Sequence, residues 1–135
     1  MKYLFSVLCL LSSVLAPVAA RAHGLVFTRV EAMFTRPGTV DFTIDYDLSL
    51  ALPQPSGYYA LTQGSPAAQA AAVEAVLPLI REAMEFYAGD TPLQLELQSF
   101  ALPKLPAAAF DDPAQDKSTV LHFTAKLPPA PAPLV

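Results

Sequence analysis

Between Thr39 and Leu52 apolar and polar residues alternate strictly. Val40, Phe42, Ile44, Tyr46, Leu48, Leu50 and Leu52 fall on one parity, and Thr39, Asp41, Thr43, Asp45, Asp47 and Ser49 on the other. Side chains of a strand point to opposite faces in turn, so this period of two predicts a long strand with one buried and one wet face. A helix would scatter the same apolar residues around its circumference. Leu25 to Phe34 reads as an earlier strand. Val26, Val30, Ala32 and Phe34 share one parity, while Arg29 and Glu31 share the other with Leu25, Phe27 and Met33. Arg36-Pro37-Gly38-Thr39 between the two suits a type II turn, because proline presets φ near −65° and glycine takes positive φ. An antiparallel hairpin is therefore expected.

Pro53-Gln54-Pro55-Ser56-Gly57 ends the second strand, and Tyr58 to Leu61 is ambiguous. Ser65 followed by Pro66 predicts a helix start, with serine at the N-cap and proline where its missing N–H costs nothing. The helix is expected to run to about Ala88. Val73, Val76, Leu77, Ile80, Met84 and Tyr87 make its apolar stripe; Glu74, Arg81, Glu82 and Glu85 face out. Pro78 inside it predicts a kink or a division into two, and Gly89 is the expected C-cap. A third strand is expected from Thr91 to about Leu102, with Leu93, Leu95 and Leu97 inward. Pro103 to Asp116 reads as a loop. A fourth strand spans Ser118 to Leu127, with Leu121, Phe123, Ala125 and Leu127 inward and His122, Thr124 and Lys126 outward. The expected fold is mainly β with one helix (α+β): a small antiparallel sheet or partial β-sandwich packed by one kinked helix.

Residues 1–22 change the compartment. Lys2, the apolar run Leu4 to Leu15 and the A-x-A sequence Ala20-Arg21-Ala22 have the three parts of a Sec-type signal peptide. The run is too short for a membrane span of ~20 residues. There is no twin-arginine pair, and Cys9 follows Leu8 and sits too early for a lipoprotein signal. Cleavage after Ala22 removes Lys2, Arg21 and the only cysteine. Eight basic residues then become six against an unchanged twelve acids, and the formal charge moves from −4 to −6. The mature chain has no disulfide, thiol nucleophile or cysteine-held metal. Its acidity and scattered Lys and Arg exclude a nucleic-acid footprint. No later stretch predicts a transmembrane helix. The domain is expected over residues 23–127 in the periplasm or outside the cell. Residues 128–135, Pro-rich and favouring polyproline II, are expected to be a tail or a linker into a further segment.

No G-x-S-x-G, P-loop, G-x-G-x-x-G, H-E-x-x-H or EF-hand pattern occurs. Three candidates for chemistry remain. His23 becomes the first residue if cleavage follows Ala22. Its α-amino group and imidazole then chelate a Cu or Ni ion together, with His122, the only other histidine, as the second ligand. Nothing in the sequence places the two together. The acidic row Asp41, Asp45 and Asp47 lies along a strand with carboxylates ~7 Å apart or more, which converges poorly on a cation and reads as a solvated face. Asp111, Asp112 and Asp116 sit in the Pro/Ala loop and read as solvating. No nucleophile–base set appears, so neither a catalytic residue nor a cofactor other than the Cu or Ni ion is expected.

The signal ending in alanine, His23 at the mature start, the alternating strand, the helix, the Gly89-Asp90-Thr91-Pro92-Leu93 turn and a late strand ending in Leu127-Pro128 together resemble a known arrangement. It is the periplasmic N-terminal region of HupE/UreJ-type membrane proteins. The resemblance implies an exported β domain ahead of membrane helices, in a family associated with hydrogenase and urease accessory roles and with nickel or cobalt uptake. This sequence holds no such membrane helices, so metal transport is not expected of these residues on their own. The expected function is an exported binding or accessory domain, not an enzyme, meeting a protein partner, such as a membrane protein, through its sheet edges or tail. The alternative is a metal-handling protein using His23.

Overall fold

The computed structural model describes residues 28–129. Residues 1–27, which include the expected signal segment and His23, and residues 130–135 lie outside the described residues. The elements follow as β1 (Arg29–Met33), β2 (Thr39–Tyr46), α1 (Tyr58–Thr62), α2 (Pro66–Ala83), β3 (Tyr87–Ala88), β4 (Thr91–Pro92), β5 (Glu96–Ala101), α3 (Ala107–Asp111) and β6 (Thr119–Lys126). β1, β2, β6 and β5 form one antiparallel sheet in the order β1-β2-β6-β5, and β3 and β4 form a separate two-stranded ribbon. The fold is α+β, a small antiparallel sheet packed by a helix.

The alternation in β2 does what a period of two requires. Val40, Phe42, Ile44 and Tyr46 are buried while the residues between them are half-exposed. β6 repeats the pattern beside it, with Phe42 opposite Phe123 and Ile44 opposite Leu121. Val73, Val76, Leu77 and Ile80 of α2 cover this face and join the strand residues in one core. Ser65 caps α2 by accepting from the Ala68 N–H at 3.2 Å, as its sequence predicts. Pro78 stays within a single helix. It and Glu74, whose carbonyl it leaves without an amide partner, both lie on the exposed side, where water can serve. The β1–β2 turn is as expected: the Thr39 N–H donates to the Arg36 carbonyl at 3.2 Å, and Gly38 has φ 73°.

Five sequence expectations are corrected. β2 stops at Tyr46, not Leu52. The Asp47 carboxylate accepts the Ser49 N–H at 2.9 Å and turns the chain into a short 3-10 helix, Leu48–Leu50. A side chain that bonds its own backbone competes with the ladder, and here it wins. Leu48 remains fully buried, whereas Leu50 is turned out. α2 ends at Ala83 rather than Ala88, because the chain leaves the helix to stack Phe86 on Phe42, with ring centroids 4.6 Å apart. Gly89 is accordingly not a helix cap. With φ 60° it is the first residue of the two-residue β3–β4 hairpin turn, the place where such turns favour glycine. The third strand is divided between β4 and β5, and the expected loop contains α3.

β5 also carries a bulge between Leu97 and Ser99. Leu97 lies opposite Phe123 and Phe100 opposite Leu121, so two residues of opposite parity both face the core. One extra residue shifts the side-chain register and permits this.

Candidate functional site

Among the described residues the sheet is covered on one side only, which leaves two surfaces. The first is its open face. Asp41, Thr43 and Asp45 of β2 lie beside Thr124, His122 and Val120 of β6, and Ser99 of β5 lies on the far side of His122. His122 is exposed in the middle of this face, with Nδ1 3.2 Å from the Thr43 hydroxyl. Asp41 accepts from the hydroxyls of Thr124 at 2.5 Å and Thr35 at 2.6 Å and from the Arg36 guanidinium at 3.3 Å. The Thr124 hydrogen bond, then that of Thr35 and the charge of Arg36, hold its carboxyl below the usual carboxylate value. Asp45 receives Arg29 Nε at 2.8 Å.

The acidic row thus divides into fixed tethers. Asp41 anchors the β1–β2 turn to β6, Asp45 anchors β1, and Asp47 is buried as a turn cap and does not share the open face. Asp112 and Asp116 of the later loop likewise accept from the backbone N–H groups of Ala114 and Ser118. Among the described residues no group of three or more His, Cys, Asp or Glu is placed to hold a metal ion. His122 is exposed where its sequence predicts it, and His23 lies outside the described residues.

The second surface is the β1 edge, which the sequence reading did not single out. All five residues of β1 are exposed. Val30 and Ala32 sit opposite Ile44 and Phe42 and so belong to the covered face, but α2 does not extend over them. Val30 is 40% exposed, and Phe34, two residues beyond Ala32, is 73% exposed. Val30, Tyr46, Met84 and Phe86 line a shallow groove between this strand and the end of α2. The sequence signal was present: β1 carries apolar residues at Val30, Ala32 and Met33, on both parities. A strand lying inside a sheet and a strand awaiting a neighbour read alike in such a pattern. The opposite edge differs, because the bulge interrupts β5 and bulges discourage strand addition.

No helix among the described residues is long and apolar enough to cross a membrane. No family model matches the chain, and neither a curated protein nor a solved structure is found to match it.

Proposed function

We propose that this chain is an exported binding domain, an accessory module of the periplasm or cell exterior that acts by docking a protein rather than by catalysis. One observation carries this: β1 is a regular edge strand, free of proline and bulges, with exposed apolar side chains beside it. Unpaired N–H and C=O groups along such an edge accept a further strand, and neighbouring apolar side chains add affinity. Export rests on the signal pattern of residues 1–22. The resemblance to HupE/UreJ-type outer domains favours a partner at the membrane. The test is a photo-crosslinking amino acid at Val30, with one at Glu96 on the opposite edge as control. A protein adduct specific to position 30 is expected. Equal labelling at both positions would overturn the assignment of the edge.

A second reading, a Cu(II) or Ni(II) carrier using His23 and His122, has one observation in its favour. His122 presents its imidazole on the open face, unburied, two strands from β1. Thr28 lies on the order of 15 Å from His122, given ~4.8 Å between strands and ~3.4 Å per residue. The five residues from His23 to Thr28 reach about 17 Å. The chain is long enough for the two histidines to meet. Native mass spectrometry of the exported protein tests this. One retained ion, lost in both His23→Ala and His122→Ala, would support it, and no retained ion would end it.

A further inference from the structure

We infer that the strand docking on β1 is β1 of a second copy, joined about a two-fold axis at Val30; this rests on the binding role proposed above. The order of charges along the edge leads there. In antiparallel pairing about Val30, Thr28 faces the partner's Ala32, Arg29 the partner's Glu31, and Val30 the partner's Val30. Each Arg29 then meets an opposite charge, twice by symmetry. Cross-strand pairs of opposite charge stabilise and like pairs destabilise. An axis at Glu31 would set Glu31 against itself. An axis at Ala32 would oppose Arg29 to Thr35 and Glu31 to Met33 and use neither charge. An axis between residues would join the covered face of one copy to the open face of the other. The Val30 register alone satisfies charge and face together, and such self-complementarity is what an isologous interface requires.

The side chains are available for it. Arg29 donates Nε to Asp45 at 2.8 Å and approaches Glu31 at 3.6 Å, yet its side chain is 64% exposed and that of Glu31 55%. Five guanidinium donors leave enough for a second carboxylate. On the covered side the two Val30 side chains would meet, and the grooves formed with Tyr46, Met84 and Phe86 would join across the axis. The result is a continuous eight-stranded sheet with both copies of α2 on one side and both open polar faces on the other.

Sedimentation equilibrium of the exported chain from about 1 μM to about 1 mM, the range of weak to moderate association, reads the dimer. Arg29→Glu and Glu31→Arg should each weaken it about tenfold, since both symmetric pairs become repulsive. Mixing the two variants should restore association as a heterodimer, because every Arg–Glu pair is then re-formed. Circular dichroism confirms that each is folded. Glu31→Arg, which disturbs only the 3.6 Å pair with Arg29, carries the test alone if Arg29→Glu fails to fold beside Asp45. A monomer across the whole range, or a dimer indifferent to these charges, overturns the inference. The crosslinker at Val30 separates the two levels. An adduct of twice the chain mass supports self-pairing. An adduct with a different protein overturns self-pairing and leaves the binding role. No adduct removes both.

Discussion

Tyr58 offers the most demanding test of how this core is held. Its ring is buried at the start of α1, and its hydroxyl reaches the start of β6, 61 residues on in sequence. The phenol lies 2.7 Å from the Lys117 carbonyl and 2.6 Å from the Thr119 hydroxyl. It has one proton, and only a donor satisfies a carbonyl. Tyr58 therefore donates to Lys117, and Thr119 donates to Tyr58. Tyr58→Phe removes both bonds and strands the hydroxyl of Thr119, which is fully buried. Two net hydrogen bonds of about 0.5–1.5 kcal/mol each, plus an unpaired buried donor, predict a loss of about 2–3 kcal/mol. Thr119→Val removes one bond and leaves the other, for about 1 kcal/mol. With both substitutions the stranded hydroxyl is gone, so the double variant should lose about 1 kcal/mol less than the sum. Urea denaturation reads all three. A loss below about 0.5 kcal/mol for Tyr58→Phe, or strict additivity, would refute the assigned bonding.

The remaining predictions concern titration, faces and turns. Burial pushes the Tyr58 phenol from its ordinary 10.0 up to about 12, against the opposing hydrogen bond from Thr119. A folded pKa above the unfolded one contributes stability that is complete below pH 10 and lost as pH rises toward 12. Stability should therefore fall across that window, less steeply in Tyr58→Phe; identical slopes would be contrary to expectation. Thr124→Val should raise the Asp41 midpoint toward 3.8, followed by NMR titration of the carboxyl, because Thr124 is the main cause of its depression. The Asp41 contribution is present above that value and disappears as pH falls through its lower folded pKa, so an unmoved midpoint would dismiss the Thr124 bond. Ile44→Asp puts a carboxylate at a fully buried position and should cost more than ~4 kcal/mol, enough to abolish the folded circular dichroism signal. Thr43→Asp, on the open face, should leave the chain folded; similar behaviour of the two would reverse the assignment of faces. Gly38→Ala should cost about 1–2 kcal/mol because of its φ of 73°. Gly57→Ala, with open space around its Cβ and no positive φ, should shift the thermal midpoint little.

The comparison of sequence with structure divides along the reach of the forces involved. Period-two patterning stated the faces of β2 and β6 correctly, because burial on one side of a pleated strand is a local consequence of alternation. Ser65-Pro66 stated where α2 starts and Pro37-Gly38 where the chain reverses, since caps and turns are set by a few adjacent residues. The end of α2 was not legible in this way. Its apolar stripe continues through Met84 and Tyr87, but the stacking of Phe86 on Phe42, distant in sequence, ends the helix and turns Tyr87 out. The bulge in β5 left only a trace, Leu97 and Phe100 three apart, whose meaning depends on Phe123 and Leu121 across the ladder.

The candidate site shows the same division. The outward direction of His122 and the polarity of its face are properties of one strand, and the sequence by itself determined them. That Asp41 ties a turn to β6, that Asp47 is buried, and that β1 stands at an edge with Val30 uncovered were decided only by tertiary structure. Each depends on which strand lies beside which and how far α2 extends, and neither strand order nor helix reach is encoded in the local period of hydrophobicity.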